Sequence, residues 1–238
     1  MAIYKKPDFW SLKAQKESYP ARSVYKLKEI DEKFNFFIHQ RYGKKSGGQA
    51  ALVNKAALRV LDLGAAPGSW SLYVLRHYGK YSRRQGSLFL AAVDLVPLSR
   101  HFEFLNCEDF FFIQGDFTAE AVRKELLNRG PYNVIISDAA PPTTGSRTVD
   151  TRRSFSLVEE ALSLAETCLA PGGNLAVKVF QGEDTAALLK RIRGSFNSAK
   201  NFKPQACRGS SFETYYIGLG KRREGIPKEA IPKTEVLE

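Results

Sequence analysis

The chain has 238 residues, enough for one domain and at most a small appendage. With 43% hydrophobic and 26% charged residues it has material for a core, which excludes wholesale disorder, and no apolar run nears the ~18–20 residues of a membrane span. A formal charge of +11 points to an anionic partner, nucleic acid above all.

The opening residues, MAIYKKPDFW, lack the apolar stretch of a secretory signal. The cysteines Cys107, Cys168 and Cys207 are odd in number and widely spaced, which excludes a disulfide framework and fits a reducing cytoplasm. His39, His77 and His101 have no partner at ligand spacing, so no metal site is expected.

Residues 8–37 read as helical, with Tyr25, Leu27, Ile30, Phe34 and Phe37 forming one apolar stripe. Pro20 reads as a break and Ser23 as a cap. From Lys33 to Arg84 the chain carries ten basic residues and one acid, Asp62, a bias that favours a phosphate-facing surface. Residues 43–50, GKKSGGQA, read as a loop.

Strands and helices then alternate. Strands are predicted at 59–63, 87–94, 110–114, 132–138 and 174–180. Helices are predicted at 69–79, 117–130, 154–173 (stopped by Pro171-Gly172-Gly173) and 183–196. Residues 201–207 and 214–220 read as a closing antiparallel pair, and the tail from Lys221 reads as mobile. The β-α-β-α order predicts a parallel sheet with helices on both faces.

In such sheets ligands bind outside the carboxyl ends of the strands, where the strand order reverses. The first strand runs into LDLGAAPGSW, where Gly64, Ala65, Ala66 and Gly68 let the backbone approach a ligand closely. The spacing Gly64-x-x-x-Gly68 is not the dinucleotide fingerprint, which disfavours a nicotinamide cofactor. An acid follows each of the first four strands: Asp62, Asp94, Asp116 and Asp138. Asp94 suits ribose hydroxyls and Asp116 an adenine amino group, although either could be an ordinary helix cap. Four acids repel a pyrophosphate but suit S-adenosylmethionine, which carries a sulfonium and an ammonium and no phosphate.

Lys178 sits inside the strand NLAVKVF, and lysine is among the residues least often buried. A charged lysine there must be paired, or have its pKa lowered far enough to act as a general base. Asp138 precedes it by one β-α-β unit, and Glu213 opens the last strand. A carboxylate-flanked lysine beside a sulfonium site fits proton removal from an alcohol followed by in-line methyl transfer.

The segments ARSVYKLKEI (21–30), LDLGAAPGSWS (61–71), AVDLVPL (92–98), IQGDF (113–117), SDAAP (137–141), LAPGGNLAVKVFQGE (169–183) and SFETY (211–215) resemble, in order, the FtsJ-type ribosomal RNA 2′-O-ribose methyltransferases. The resemblance implies a Rossmann-like class I S-adenosylmethionine-dependent α/β fold, a seven-stranded mostly parallel sheet with one antiparallel strand. It implies a catalytic tetrad of Lys26, Asp138, Lys178 and Glu213. Lys178 is the base, Asp138 and Glu213 hold it, and Lys26 orients the hydroxyl and helps lower the pKa of Lys178. For the cofactor it implies Gly68, Trp70, Asp94, Asp116 and Asp138, with Trp70 also readable as a core aromatic.

It further implies residues 1–58 as a helical RNA-facing segment with a basic loop, 59–220 as the catalytic domain and 221–238 as a tail. The expected substrate is a uridine in the A loop of 23S ribosomal RNA within the large subunit, with the enzyme a cytoplasmic monomer that touches no membrane. A tRNA anticodon-loop ribose and a non-catalytic RNA-binding role are the alternatives. Pro142 and Phe212 depart from the family's usual Asn and Arg, and segments 41–57 and 80–86 look longer than in compact relatives. These departures bear on which RNA is bound more than on the chemistry.

Overall fold

The computed structural model describes residues 7–37, 57–79, 87–99, 109–182, 185–209 and 211–223. The loop at 43–50, nearly all of 41–57, all of 80–86 and most of the tail lie outside the described residues.

The elements run α1 (Phe9–Lys16), α2 (Val24–Phe34), β1 (Leu58–Leu63), α3 (Ser69–Tyr78), β2 (Leu88–Asp94), β3 (Phe110–Gln114), α4 (Glu120–Asn128), β4 (Tyr132–Ser137), α5 (Arg147–Cys168), β5 (Leu169–Phe180), α6 (Thr185–Ser195), β6 (Phe196–Phe202) and β7 (Glu213–Lys221). They form one seven-stranded sheet in the order β3-β2-β1-β4-β5-β7-β6. Strands β1 to β5 pair in parallel, and β7 runs antiparallel to both β5 and β6. The expected doubly wound sheet with one reversed strand is therefore present. The chain winds outward in both directions from the β1–β4 pair, so the switch point falls between those strands.

The two faces have separate cores. Val60, Leu90, Val134 and Ala176 pack against α1, α2 and α3, while Leu61, Val93, Ile135 and Val177 pack against α4, α5 and α6. The period-two alternation along each strand produces this split.

Several boundaries differ from the sequence expectation. The segment 8–37 is two helices, and Ser23 makes no side-chain cap to α2. Helix α4 starts three residues late, because the Asp116 carboxylate takes the Thr118 N–H and hydroxyl at 2.8 Å in a local turn. Helix α5 starts at Arg147, seven residues before the predicted start. Its first turns bury Asp150, Thr151 and Ser154, which show no apolar period.

The same helix ends at Cys168, since Leu169 already pairs with Tyr132. Pro171-Gly172-Gly173 is instead a bulge inside β5, where the register to β4 shifts. The residue before a proline resists helix, which favours that arrangement. Strand β6 is an edge strand at 196–202, so its burial does not alternate cleanly. Lys221 belongs to β7, its ammonium donating to the Ala165 and Leu169 carbonyls at 3.1 and 2.9 Å.

The basic stretch also reads differently in three dimensions. Lys33 sits 4.3 Å from the Phe202 ring centroid. Arg59 binds the Pro131 carbonyl at 3.0 Å, and Arg76 binds those of Glu17 and Ser18 at 2.9 and 3.1 Å. These three cations contribute to the protein's own packing. The other seven lie outside the described residues.

Helix α2 is locked down at Asp31, whose buried carboxylate accepts the Tyr73 and Tyr78 hydroxyls at 2.8 and 2.5 Å. Replacing Asp31→Leu removes the shared acceptor and should lower stability by about 1–3 kcal/mol. Urea unfolding checks this; an unchanged midpoint would show that the network contributes nothing.

Candidate active site

Parallel pairing of β4 and β5 sets Ser137 opposite Val177. The next residues, Asp138 and Lys178, therefore leave the sheet side by side. The Lys178 ammonium lies 3.0 Å from Asp138 Oδ1 and also donates to the Asp138 backbone carbonyl. Antiparallel pairing sets Lys178 opposite Tyr215 and Phe180 opposite Glu213. Side chains facing one another across such a ladder share a face, so Tyr215 and Glu213 arrive beside Lys178.

Helix α2 brings Lys26 over the same face, with Nζ 2.9 Å from Glu213 Oε1. The structure thus brings Lys26, Asp138, Lys178 and Glu213 together, but as two ion pairs. Glu213 shares the face of Lys178, as its register requires, and among the described residues its ion pair is with Lys26.

Both pairs are buried, with Lys178 8% and Lys26 9% exposed. Burial alone would raise the Asp138 carboxyl, yet the charges of Lys178 and Lys26 and the Tyr215 hydrogen bond hold it below the usual aspartate value. Burial alone would lower the Lys26 ammonium, yet Asp138 and Glu213 hold it above the usual lysine value. Lys26 is thus a fixed cation.

Tyr215 was not singled out by the sequence beyond its place in SFETY. Its hydroxyl donates to Asp138 Oδ1 at 2.6 Å, and its ring lies 5.8 Å below Lys26 Nζ. Glu29 was missed entirely. Its carboxylate accepts the Gln205 and Ala206 N–H groups at 2.7 and 2.8 Å, tying the loop after β6 to the helix that carries Lys26. Its spacing of three from Lys26 on one helix was the available signal.

A cavity of about 810 Å³ opens beside Lys178, within the range of small-molecule sites. Gly64, Asp94, Asp116, Asp138 and Leu157 are on its wall. Gly64 has φ +73°, and a Cβ there would fall 2.5 Å from Ala139 Cα, so the loops after β1 and β4 meet at a contact that only glycine permits. Asp94 accepts the Ala66 and Val96 N–H groups at 2.8 and 3.0 Å, which aims its remaining lone pairs at the cavity. These features fit S-adenosylmethionine: a cavity walled by the carboxylates of Asp94, Asp116, Asp138 and Glu160 suits an adenosyl group and cationic amine and sulfur.

Two residues expected at the cofactor are not on the wall of this cavity. Trp70 is buried in the core, its indole N–H donating to the Ser23 carbonyl at 2.8 Å and its ring 5.8 Å from that of Tyr215. Gly68, at φ +106°, precedes α3 and is not on the cavity wall. Arg153, Ser156 and Glu160 of α5 do line the cavity and were not foreseen, since that helix was started too late.

Asp62 also departs from expectation. It lies within β1, fully buried, accepting the Ser71 hydroxyl at 2.6 Å. Its other oxygen has no partner. Burial pushes its carboxyl up to about 7, helped by the charges of Asp138 and Asp94.

The fold is that of the Rossmann-like class I S-adenosylmethionine-dependent methyltransferases, and the family match places the chain among them. Residues 19–221 match the FtsJ-like methyltransferase family, and the chain belongs to it. It is 48% identical over 218 residues to the ribosomal RNA large subunit methyltransferase E of Treponema denticola, covering 91% of this chain and 96% of that one. It is 41% identical to the protein of the same name from Nitratidesulfovibrio vulgaris (strain Miyazaki F), covering 92% and 96%. Among solved structures, a ribosomal RNA methyltransferase from Plasmodium falciparum superposes with a TM-score of 0.63 at 24% identity, covering 85% of this chain and 98% of that one. Human methyltransferase-like protein 13 in complex with SAH superposes at 0.50 and 15% identity, covering 74% and 77%.

Asp62 makes stability depend on pH. Its folded carboxyl binds a proton more tightly than the unfolded one, so stability falls as pH rises from about 4 through about 7 and levels off above. The ceiling on the loss is on the order of 4 kcal/mol. Asp62→Asn should flatten that slope in urea titrations run from pH 5 to 8; an unchanged slope would place the titration elsewhere.

Proposed function

We propose that this protein methylates a ribose 2′-hydroxyl in large-subunit ribosomal RNA, with Lys178 as general base. The observation that carries the reading is the pair of buried ion pairs, Lys178–Asp138 and Lys26–Glu213, beside a cavity suited to an adenosyl sulfonium.

Each chain residue has a part. Asp138 and its backbone carbonyl aim Lys178 Nζ, and Tyr215 fixes the Asp138 carboxylate. Lys178 Nζ takes the hydroxyl proton and later releases it to water. Lys26, held charged by Glu213, orients the ribose oxygen and steadies its developing negative charge. Asp94 and Asp116 hold the ribose and adenine ends of the cofactor. When bound, S-adenosylmethionine supplies the methyl carbon, which the ribose oxygen takes as the C–S bond breaks and its electron pair goes to sulfur.

A base aimed at the 2′-hydroxyl acts on RNA and not on DNA. The names of the relatives support ribosomal RNA of the large subunit, and the family resemblance supports a uridine of the 23S A loop. The enzyme works as a cytoplasmic monomer, in keeping with its free thiols at Cys168 and Cys207. A non-catalytic RNA binder has no use for a lysine held at the end of a central strand.

Lys178→Ala should lower methyl transfer to undermethylated large subunits by about 10²–10⁴-fold and leave cofactor binding within a few-fold. Lys178→Arg should fail equally, because a guanidinium does not give up its proton. Both are read by label transfer from methyl-labelled cofactor and by calorimetry, and near-normal turnover in Lys178→Ala would remove the base assignment. Mass spectrometry of 2′-O-methylated nucleosides from cells lacking the gene should show one missing uridine in 23S ribosomal RNA. A missing tRNA methylation instead would redirect the substrate.

A further inference from the structure

The rim beyond the two ion pairs carries a cation mounted on aromatic rings that the methyl-transfer scheme does not use. Phe180 ends β5, two residues beyond Lys178 and on the same face of the strand. Its buried ring meets that of Phe212 edge to face, with centroids 4.8 Å apart at 62°. Phe212 is itself held in place, since its backbone carbonyl accepts the Gln181 N–H at 3.0 Å and its neighbour is Glu213. Over the Phe212 ring, 5.4 Å from its centroid, lies the guanidinium of Arg147, the first residue of α5. Arg147 is exposed, and among the described residues no carboxylate pairs with it.

We propose that Arg147, propped by Phe212, is the stacking platform for the base of the nucleotide whose ribose reaches Lys178. This rests on the reading of Lys178 as the ribose-facing base. A guanidinium is planar and weakly hydrated, and both it and aromatic rings stack on unpaired RNA bases. The ring lies 5.4 Å from the guanidinium, which is exposed and open to a base. Phe180 stands two strand residues, roughly 6–7 Å, beyond Lys178, and Phe212 directly precedes Glu213, so the column shares the rim with the two ion pairs. The platform reads no base edge, so it secures an unstacked nucleotide without choosing its identity.

The test is steady-state kinetics of the full chain on undermethylated large ribosomal subunits, with Lys178→Ala run in parallel. Arg147→Ala and Phe212→Ala should raise KM for the subunits roughly 5–100-fold, the range of one stacked base, with kcat within about twofold. Phe212→Trp should restore the wild-type KM. Arg147→Lys, which keeps the charge and loses the plane, should be as poor as Arg147→Ala. Cofactor affinity, measured by calorimetry, should not move in any of them. If Arg147→Lys is normal, the residue is a point-charge contact and the stacking assignment fails. An unchanged KM in Arg147→Ala, or a loss confined to kcat, overturns it as well. Arg147 is a surface residue, so its variants decide the matter even if Phe212→Ala misfolds. An active Lys178→Ala enzyme would instead strike the base assignment on which the platform depends.

Discussion

A lysine at the end of a central strand is the constraint on which the rest of this structure depends. An isolated ammonium in that setting costs several kcal/mol, and removing one member of a buried pair leaves the other uncompensated. The fold meets this with geometry supplied by two different strand pairings. Parallel pairing with β4 sets Asp138 beside Lys178, and antiparallel pairing with β7 sets Tyr215 and Glu213 beside both. The reversal of β7 matters here. It presents the start of that strand at the same edge where β4 and β5 end, so one rim collects residues from three strands.

The second positive charge comes from outside the sheet. Helix α2 carries Lys26 to Glu213 and is fixed by other groups on its surface. Asp31 binds two tyrosine hydroxyls from α3, and Glu29 binds two backbone N–H groups beyond β6. The helix is thus a bridge between the helical layer and the loop after β6, and its position sets where Lys26 points. A site that needs sub-ångström placement is better served by such a braced helix than by a loop.

The cavity lies beside the rim rather than over it. Its floor is the close contact between Gly64 and Ala139, at the point where the sheet winds outward in both directions. Arg147 lies over the Phe212 ring and is not among the residues on the cavity wall.

Composition and pattern determined the class of fold, the order of strands and helices in the chain, and the importance of Lys178, because a lysine between valines is anomalous on local grounds alone. The acids at strand ends were equally legible for Asp94, Asp116 and Asp138, whose places follow from period-two strands. Helix starts carried by buried polar residues, such as that of α5, were not legible, since they make no apolar stripe. Neither was the edge strand β6, whose two sides are unequally covered.

Tertiary structure alone decided that Glu213 serves Lys26, that Trp70 belongs to the core, and that Asp62 lies sealed within β1. It also placed Phe212 between Phe180 and Arg147, residues far apart in sequence. The reason is physical. Local periodicity reports which face of an element a residue occupies, whereas partners across the sheet are set by register and by the direction in which distant segments return.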